Sequence, residues 1–438
     1  MALDRESLFY ADDITLIAQS AGSLQLLLSN LHTICTELGL TIAPEKSCVL
    51  IFNGDAHQRT MTFRVNLNPI PVVQETIYLG CKLTDDFSLP AMQQHRLDKA
   101  HAHLNTTLTF MRSAGLAHPQ HIKALFTATV LQTAMYGVEI WGPSRVPSMA
   151  CKTNLFSNSL QGLLHRMLRQ TLRLPAHTPN LILALEFGID PMVTYACRRI
   201  SRFLDRCASS PDPLFKAYQA NTRITRVWTR FTTKCIRTHD PTSTITSGVA
   251  RSAQLMAALP SVYKTHMAQY MTDDVQLDQC AHRVLSTYCQ HIWLGIFGRR
   301  HKVYECIDAP QHQYRNWICL RTLNVPLAVY EWPRIRHPAV QGTHQHQPQL
   351  RTPLHLRTCP LGCPAIADLS HFLLHCIPAR NYVGKHLPFI AGPPNVTTLQ
   401  GLLNDKTADP HTLLTSLSNF TRLARIHYKT PTSQTVSL

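Results

Sequence analysis

The stretch Phe9-Tyr10-Ala11-Asp12-Asp13 sets two adjacent carboxylates between apolar runs, Leu8 to Ala11 before it and Ile14 to Ile17 after it. Both runs are rich in strand-forming residues, so the reading is a tight β-hairpin with the acidic pair at its turn. Adjacent carboxylates repel, and burying either one unpaired is costly. A divalent metal relieves both problems, and oxygen ligands of this kind hold paired Mg²⁺ ions in phosphoryl-transfer sites. A solvated Asp-Asp turn is the competing reading, since Asp is a common turn residue.

The sequence that follows decides between them. Ser20 to Ser23 offers helix caps, and Leu24, Leu27, Leu28, Leu31, Ile34, Cys35 and Leu38 recur at helical spacing until Gly39. A turn at Ala43 to Lys46 precedes an apolar strand at Cys48 to Phe52, another strand lies within Met61 to Leu67, and a third covers Ile77 to Leu83. Four blocks, FYADD, LGLTIAPEKS, IYLGCKL and ALFTATVLQTAMYGVEIWG, together resemble the reverse transcriptase of non-LTR (LINE-type) retrotransposons, in that family's order.

The resemblance implies an RNA-directed DNA polymerase whose palm hairpin holds the catalytic Mg²⁺ ions on Asp12 and Asp13. It places Lys46 near the phosphates of the incoming nucleotide, although a solvated turn lysine fits the same residue. It makes Tyr78, Leu79 and Gly80 the turn that grips the primer end, where glycine permits close backbone approach. The family also uses a third metal-binding Asp upstream of the hairpin, together with fingers that hold template and nucleotide. Neither is matched here, because only eight residues precede Phe9 and Asp4 sits too close to the hairpin. The expectation is therefore the C-terminal part of such an enzyme, inactive alone, whose partner is the missing N-terminal half. A decayed copy and a non-catalytic nucleic-acid-binding protein are the alternatives.

Composition agrees with a nucleic-acid partner. The 438 residues carry 42 Lys and Arg against 26 Asp and Glu, a net charge of +16, and 45% hydrophobic residues supply the material for real cores. Neither a signal peptide nor a long apolar span is seen, so an intracellular location, nucleus or cytoplasm, without a membrane partner is expected. The 14 scattered cysteines read as reduced thiols and metal ligands.

Residues 89–142 read as helical, with Leu97 to Met111 and Ala124 to Met135 forming two amphipathic segments that the resemblance assigns to the thumb. Arg96, Lys99 and Lys123 are candidates for phosphate contact there. A stretch with Pro143 and Pro147 separates this region from a basic helical one at 143–240. In it Arg166, Arg169 and Arg173 line one helix face, and Arg198, Arg202 and Arg206 another. Arg223, Arg226, Arg230, Lys234 and Arg237 form a third line beside an apolar stripe of Ile224, Val227, Trp228, Phe231 and Cys235. One charged stripe is commonly a solvated face, whereas three with few interleaved acids read as a surface that tracks the phosphates of RNA or DNA.

Residues 241–336 read as mostly helical without assigned chemistry, and the Gln, His and Pro of 337–354 as a linker. Within residues 355–385, Cys359, Cys363, His371 and Cys376 have a spacing that closes a tetrahedron around Zn²⁺. Many LINE-type C-terminal regions resemble this arrangement, with one residue fewer between the first two cysteines. His375 adjoins Cys376 and points elsewhere on a helix. Residues 386–438 form the tail. The fold class expected is α+β: part of a polymerase palm over residues 1–88, then a helical thumb and post-thumb region and a small zinc module.

Overall fold

A computed structural model of the chain describes residues 7–151, 155–174, 178–246, 248–272, 302–305 and 310–322, with residues 364, 371, 375–377, 409–412 and 414–415. The fold is mixed α and β and mostly helical, and the chain divides into two compact units, Met1–Asp98 and Lys99–Leu438.

The first unit opens with the expected hairpin. Strands β1 (Ser7–Tyr10) and β2 (Asp13–Leu16) pair antiparallel with Phe9 opposite Ile14 and Tyr10 opposite Asp13. Helix α1 (Ala21–Glu37) follows, its first turn closed by a capping box in which Ser20 and Ser23 satisfy each other's backbone N–H groups. Next come a one-turn 3₁₀ segment at Pro44–Lys46, β3 (Val49–Leu50), a single helical turn α2 (Ala56–Arg59), β4 (Phe63–Val65), β5 (Asn68–Ile70) and β6 (Val72–Val73). The strands form two-stranded ribbons only: β3 pairs parallel with β6, and β4 antiparallel with β5.

The core of this unit is small. Leu28, Val49, Phe63, Val65 and Ile70 are buried together, with Leu16 and Leu24 packed at the margin. Gln25 ties α1 to the edge of β4: its amide donates to the Arg64 carbonyl at 2.9 Å and accepts from the Arg64 N–H at 3.0 Å. Two of the seven residues of the apolar stripe Leu24 to Leu38 are left out of the core, because Ile34 and Leu38 remain 52% and 68% exposed.

Residues 77–83 are not one strand. They belong to a second hairpin, β7 (Glu75–Tyr78) and β8 (Cys81–Thr84), because Leu79 and Gly80 both take positive φ, 45° and 77°, and reverse the chain between Tyr78 and Cys81. Two positive φ values at the central residues suit a two-residue hairpin, whose strands twist the right way only across such a turn.

The second unit is helical. Helix α3 (Leu89–Ser113) runs through the division and buries Ala100, Leu104, Leu108 and Met111. The chain then forms α4 (Pro119–Leu125), one π-helical turn at Phe126–Val130 and α5 (Leu131–Ala134), and Gly137, at φ 69°, leads into α6 (Val138–Met149). Pro143 and Pro147 lie inside α6 and do not separate two regions. Proline lacks the N–H that would bond the carbonyl four residues back. For Pro143 that carbonyl belongs to Glu139, and the Tyr218 hydroxyl donates to it at 2.6 Å instead.

Helices α7 (Ser159–Leu172), α8 (Asn180–Glu186), α9 (Met192–Ser209), α10 (Pro213–Ala220), α11 (Thr222–His239), α12 (Gly248–Thr272) and α13 (Gln311–Arg321) complete the unit, with a 3₁₀ segment at Lys302–Glu305. Helices α6, α9, α12 and α11 pack in a closed cycle, each on the two beside it. The α6 and α9 backbones approach so closely that a methyl group on Gly142 would meet Ile200 Cδ1 at 2.7 Å. Trp141, Val146, Cys197, Ile200, Leu255 and Leu259 are sealed inside this bundle.

Candidate nucleic-acid interface

The carboxylate hairpin presents its turn to solvent. Asp12 occupies the turn, Asp13 begins β2, and both are exposed. Ala11 enters the turn at φ 53°, a conformation that L side chains rarely adopt and that stores strain where the carboxylates are displayed. Phe9 and Tyr10 are 67% and 63% exposed, so the hairpin displays large rings beside its acids. Two neighbouring carboxylates supply oxygen ligands of the kind Mg²⁺ takes, but a hard divalent ion needs more protein or substrate oxygens than these. Among the described residues no group of three or more His, Cys, Asp or Glu gathers to hold an ion. Lys46 ends the 3₁₀ turn with an exposed side chain and forms no ion pair with Asp12 or Asp13.

The second hairpin is held from outside. Leu79 at φ 45° is costly for a side chain with a Cβ, while Gly80 at 77° is not. Arg96 of α3 donates from Nη1 to the Gly80 carbonyl at 3.1 Å and pins the turn. Tyr78 and Leu79 are half-buried. Arg96, a candidate for phosphate contact in the sequence, here serves the protein's own backbone.

The three basic stripes differ. On α7, Arg166 donates to His101 Nδ1 at 3.3 Å and to Asn105 Oδ1 at 3.2 Å, and Arg169 donates from Nη2 to the Thr178 carbonyl at 2.6 Å and Asn180 Oδ1 at 2.5 Å. Two of the three guanidinium groups of this stripe are thus engaged inside the unit, and Arg173 alone is exposed, in the left-handed conformation that ends the helix. The neighbouring His165 is fully buried, accepts from Gln161 at 3.1 Å, and is held down to about 3 by burial and then by the Arg169 charge.

On α9 and α11 the stripes face solvent. Arg198, Arg202 and Arg206 are all exposed, on the side opposite the buried Val193, Cys197 and Ile200. Arg199, one residue out of phase, pairs instead with Glu139 of α6 at 2.9 Å. On α11, Arg226, Arg230, Lys234 and Arg237 are exposed, opposite the buried Trp228, Thr232 and Cys235. The side chain of Arg223 lies outside the described residues. Val227, read as part of the apolar stripe, is 38% exposed, and Ile236 takes the buried place. None of these seven exposed cations is in an ion pair among the described residues. Helix α11 contains no acidic residue, and the single acid of α9, Asp205, accepts from Ser252 of α12 at 2.8 Å.

Of the expected zinc ligands, Cys359 and Cys363 lie outside the described residues. His371 and Cys376 share one turn, with the Cys376 N–H donating to the His371 carbonyl at 2.6 Å and the Cys376 thiol buried.

One polar cluster escapes sequence reading. Glu186 on α8 is buried and accepts from Arg321 Nε at 2.5 Å and from the Tyr304 hydroxyl at 2.7 Å, with the guanidinium 5.3 Å from the Trp317 ring centroid. The only sequence signal is a lone acid inside the apolar run Leu181 to Phe187, which demands a cation from elsewhere. The chain matches no protein-family profile, and no curated protein is significantly similar to it. Among the described residues no helix is long and apolar enough to cross a membrane.

Proposed function

We propose that this chain is a nucleic-acid-binding part of a reverse-transcriptase-type polymerase, binding RNA or DNA through its helical unit and contributing a carboxylate pair to a metal site that another segment or chain completes. The observation that carries the binding reading is the exposure of seven unpaired cations on α9 and α11 among the described residues. Bare arginines gain by displacing counterions from phosphates, in proportion to the number contacted.

The catalytic part of the reading rests on the resemblance of the four sequence blocks and on the strained, exposed turn that displays Asp12 and Asp13. These carboxylates would hold Mg²⁺, which in such enzymes activates the attacking 3′-hydroxyl and stabilises charge on the leaving phosphate. Two carboxylates leave such a centre under-coordinated, and positioning supplies much of the rate in phosphoryl transfer. The zinc module is proposed on Cys359, Cys363, His371 and Cys376.

Fluorescence anisotropy with mixed-sequence RNA and DNA, paired with primer extension in Mg²⁺ and deoxynucleotides, tests both halves. Binding with little sequence preference and no extension by this chain alone is expected. Absence of binding at low salt contradicts the first half. Extension that disappears in Asp12→Asn contradicts the incompleteness of the metal site.

A further inference from the structure

The helical bundle places its two exposed basic stripes on helices that do not adjoin. Helices α9 and α11 each pack against both α6 and α12, so in the closed cycle they stand on the diagonal. At about 100° per residue, Arg198, Arg202 and Arg206 centre about 180° around α9 from its buried residues, and Arg226, Arg230 and Lys234 do the same on α11. Both sets therefore point away from one shared core, in opposite directions. Internal contacts fix the flanks: Arg199 reaches α6 through Glu139, and Thr194 reaches α12 through Tyr263 at 2.9 Å, which leaves the stripe between them facing outward.

We infer that the bundle carries two separate phosphate-binding faces and bridges two nucleic-acid segments at once. This rests on the nucleic-acid-binding reading above. Neighbouring helix axes about 9 Å apart give a diagonal of about 13 Å, and with helix diameters near 11 Å the two outer faces lie about 24 Å apart. A major groove is about 12 Å wide, so it admits one helix of this bundle and not the whole of it. A duplex seated on α9 leaves α11 uncovered, and the reverse. Along each helix the cations recur every four residues, about 6 Å, which suits contact with successive phosphates and not with base edges. The partner at each face is thus the sugar-phosphate backbone of any sequence.

Bridging is read by bead capture with the full chain. A biotinylated 20-base-pair duplex on beads should retain a second, fluorescently labelled duplex of unrelated sequence only when the protein is present. Serine at Arg198, Arg202 and Arg206, or at Arg226, Arg230 and Lys234, should weaken binding of a single duplex by less than tenfold in anisotropy yet reduce bridging to background, with helical circular dichroism unchanged. All six changes together should abolish bridging and weaken single-duplex binding by more than tenfold. If either set alone abolishes binding of a single duplex, the two stripes form one site and the inference is overturned. If bridging survives the removal of one face, it arises from association between copies and the inference is likewise overturned. Single-duplex binding without bridging in the unaltered chain overturns the two faces while leaving the proposed function intact. No binding of any duplex or single strand removes both.

Discussion

The two units of this chain solve the problem of burial differently. In the second, helices close around side chains that are wholly inside, such as Trp141, Leu163, Ile200 and Trp317, and buried Glu186 finds Arg321 and Tyr304 more than a hundred residues along the chain. In the first, α1 and the short strands β3, β4 and β5 share a core of five buried residues, while Phe9, Tyr10, Ile34 and Leu38 stay exposed. An isolated two-stranded ribbon is marginal in water, so strands of this kind depend on what covers them. Strain follows the same division: positive φ at Ala11, Asn53, Asn66, Leu79 and Phe87 falls in the first unit, against Arg173 in the second. The lesson is that the helical unit is organised around wholly buried side chains and the sheet unit as a display of turns. The proposed chemistry falls on the sheet unit's turns, and the proposed binding on the helical unit.

The largest effect that would sharpen this contrast lies at Glu186. Arg321→Leu leaves a buried carboxylate without its cation and should cost about 3–5 kcal/mol, lowering the thermal midpoint of the helical unit. Replacing Glu186 and Arg321 together by Leu should recover much of that stability. Equal melting of the single variant and the parent would show that the pair is not buried as described.

A pH effect comes next. His165 is held at about 3 in the folded chain, while the unfolded chain titrates near its ordinary value of 6.5. Between those values the unfolded state binds the extra proton, so stability is full above about 6.5 and falls as pH drops towards 3. The decrease should reach a few kcal/mol at the acid end, and in His165→Gln the fall between pH 6.5 and 4.5 should flatten. An unchanged pH profile in that variant would assign the acid sensitivity to other groups.

Tyr218→Phe should be milder, about 1–2 kcal/mol, because it strips the Glu139 carbonyl of the donor that replaces the missing Pro143 N–H. Denaturant melts followed by tryptophan fluorescence would read it, since Trp141 lies in the same helix. The smallest effect, and the one opposite in sign, belongs to the first unit. Leu79→Gly relieves a positive φ and should stabilise that hairpin by up to about 1 kcal/mol. Destabilisation would show that the Leu79 side chain packs strongly enough to offset its strain.

Local patterns carried the first unit well. The FYADD hairpin, the Ser20 cap of α1 and the 3₁₀ turn at Pro44 all follow from spacing and turn chemistry within a few residues. What spacing alone could not decide was which side of a helix meets protein. Arg166 and Arg169 have much the same periodicity as Arg198 and Arg202, yet the first pair turns inward because Asn105 and Asn180 offer acceptors there. Pro143 reads as a breaker until Tyr218, 75 residues later, supplies the donor. The Glu186 pair with Arg321 spans 135 residues, beyond any local signal. The carboxylate turn was legible as a shape; the metal chemistry proposed for it depends on oxygens that no local pattern supplies.

The most direct test is the salt dependence of RNA and duplex DNA binding by the full chain already carrying serine at Arg198, Arg202 and Arg206, before and after serine also replaces Arg226, Arg230 and Lys234, so that the face on α9 does not mask the loss. Each phosphate that the variant no longer neutralises should lower the steepness of log affinity against log salt by about 0.7 for single strands and about 0.9 for duplex. The expected result is a drop of roughly two to three units for duplex, equal across sequences, with helicity unchanged. An identical slope and affinity in the variant would contradict phosphate binding by the exposed face of α11 and reduce that stripe to a solvated surface.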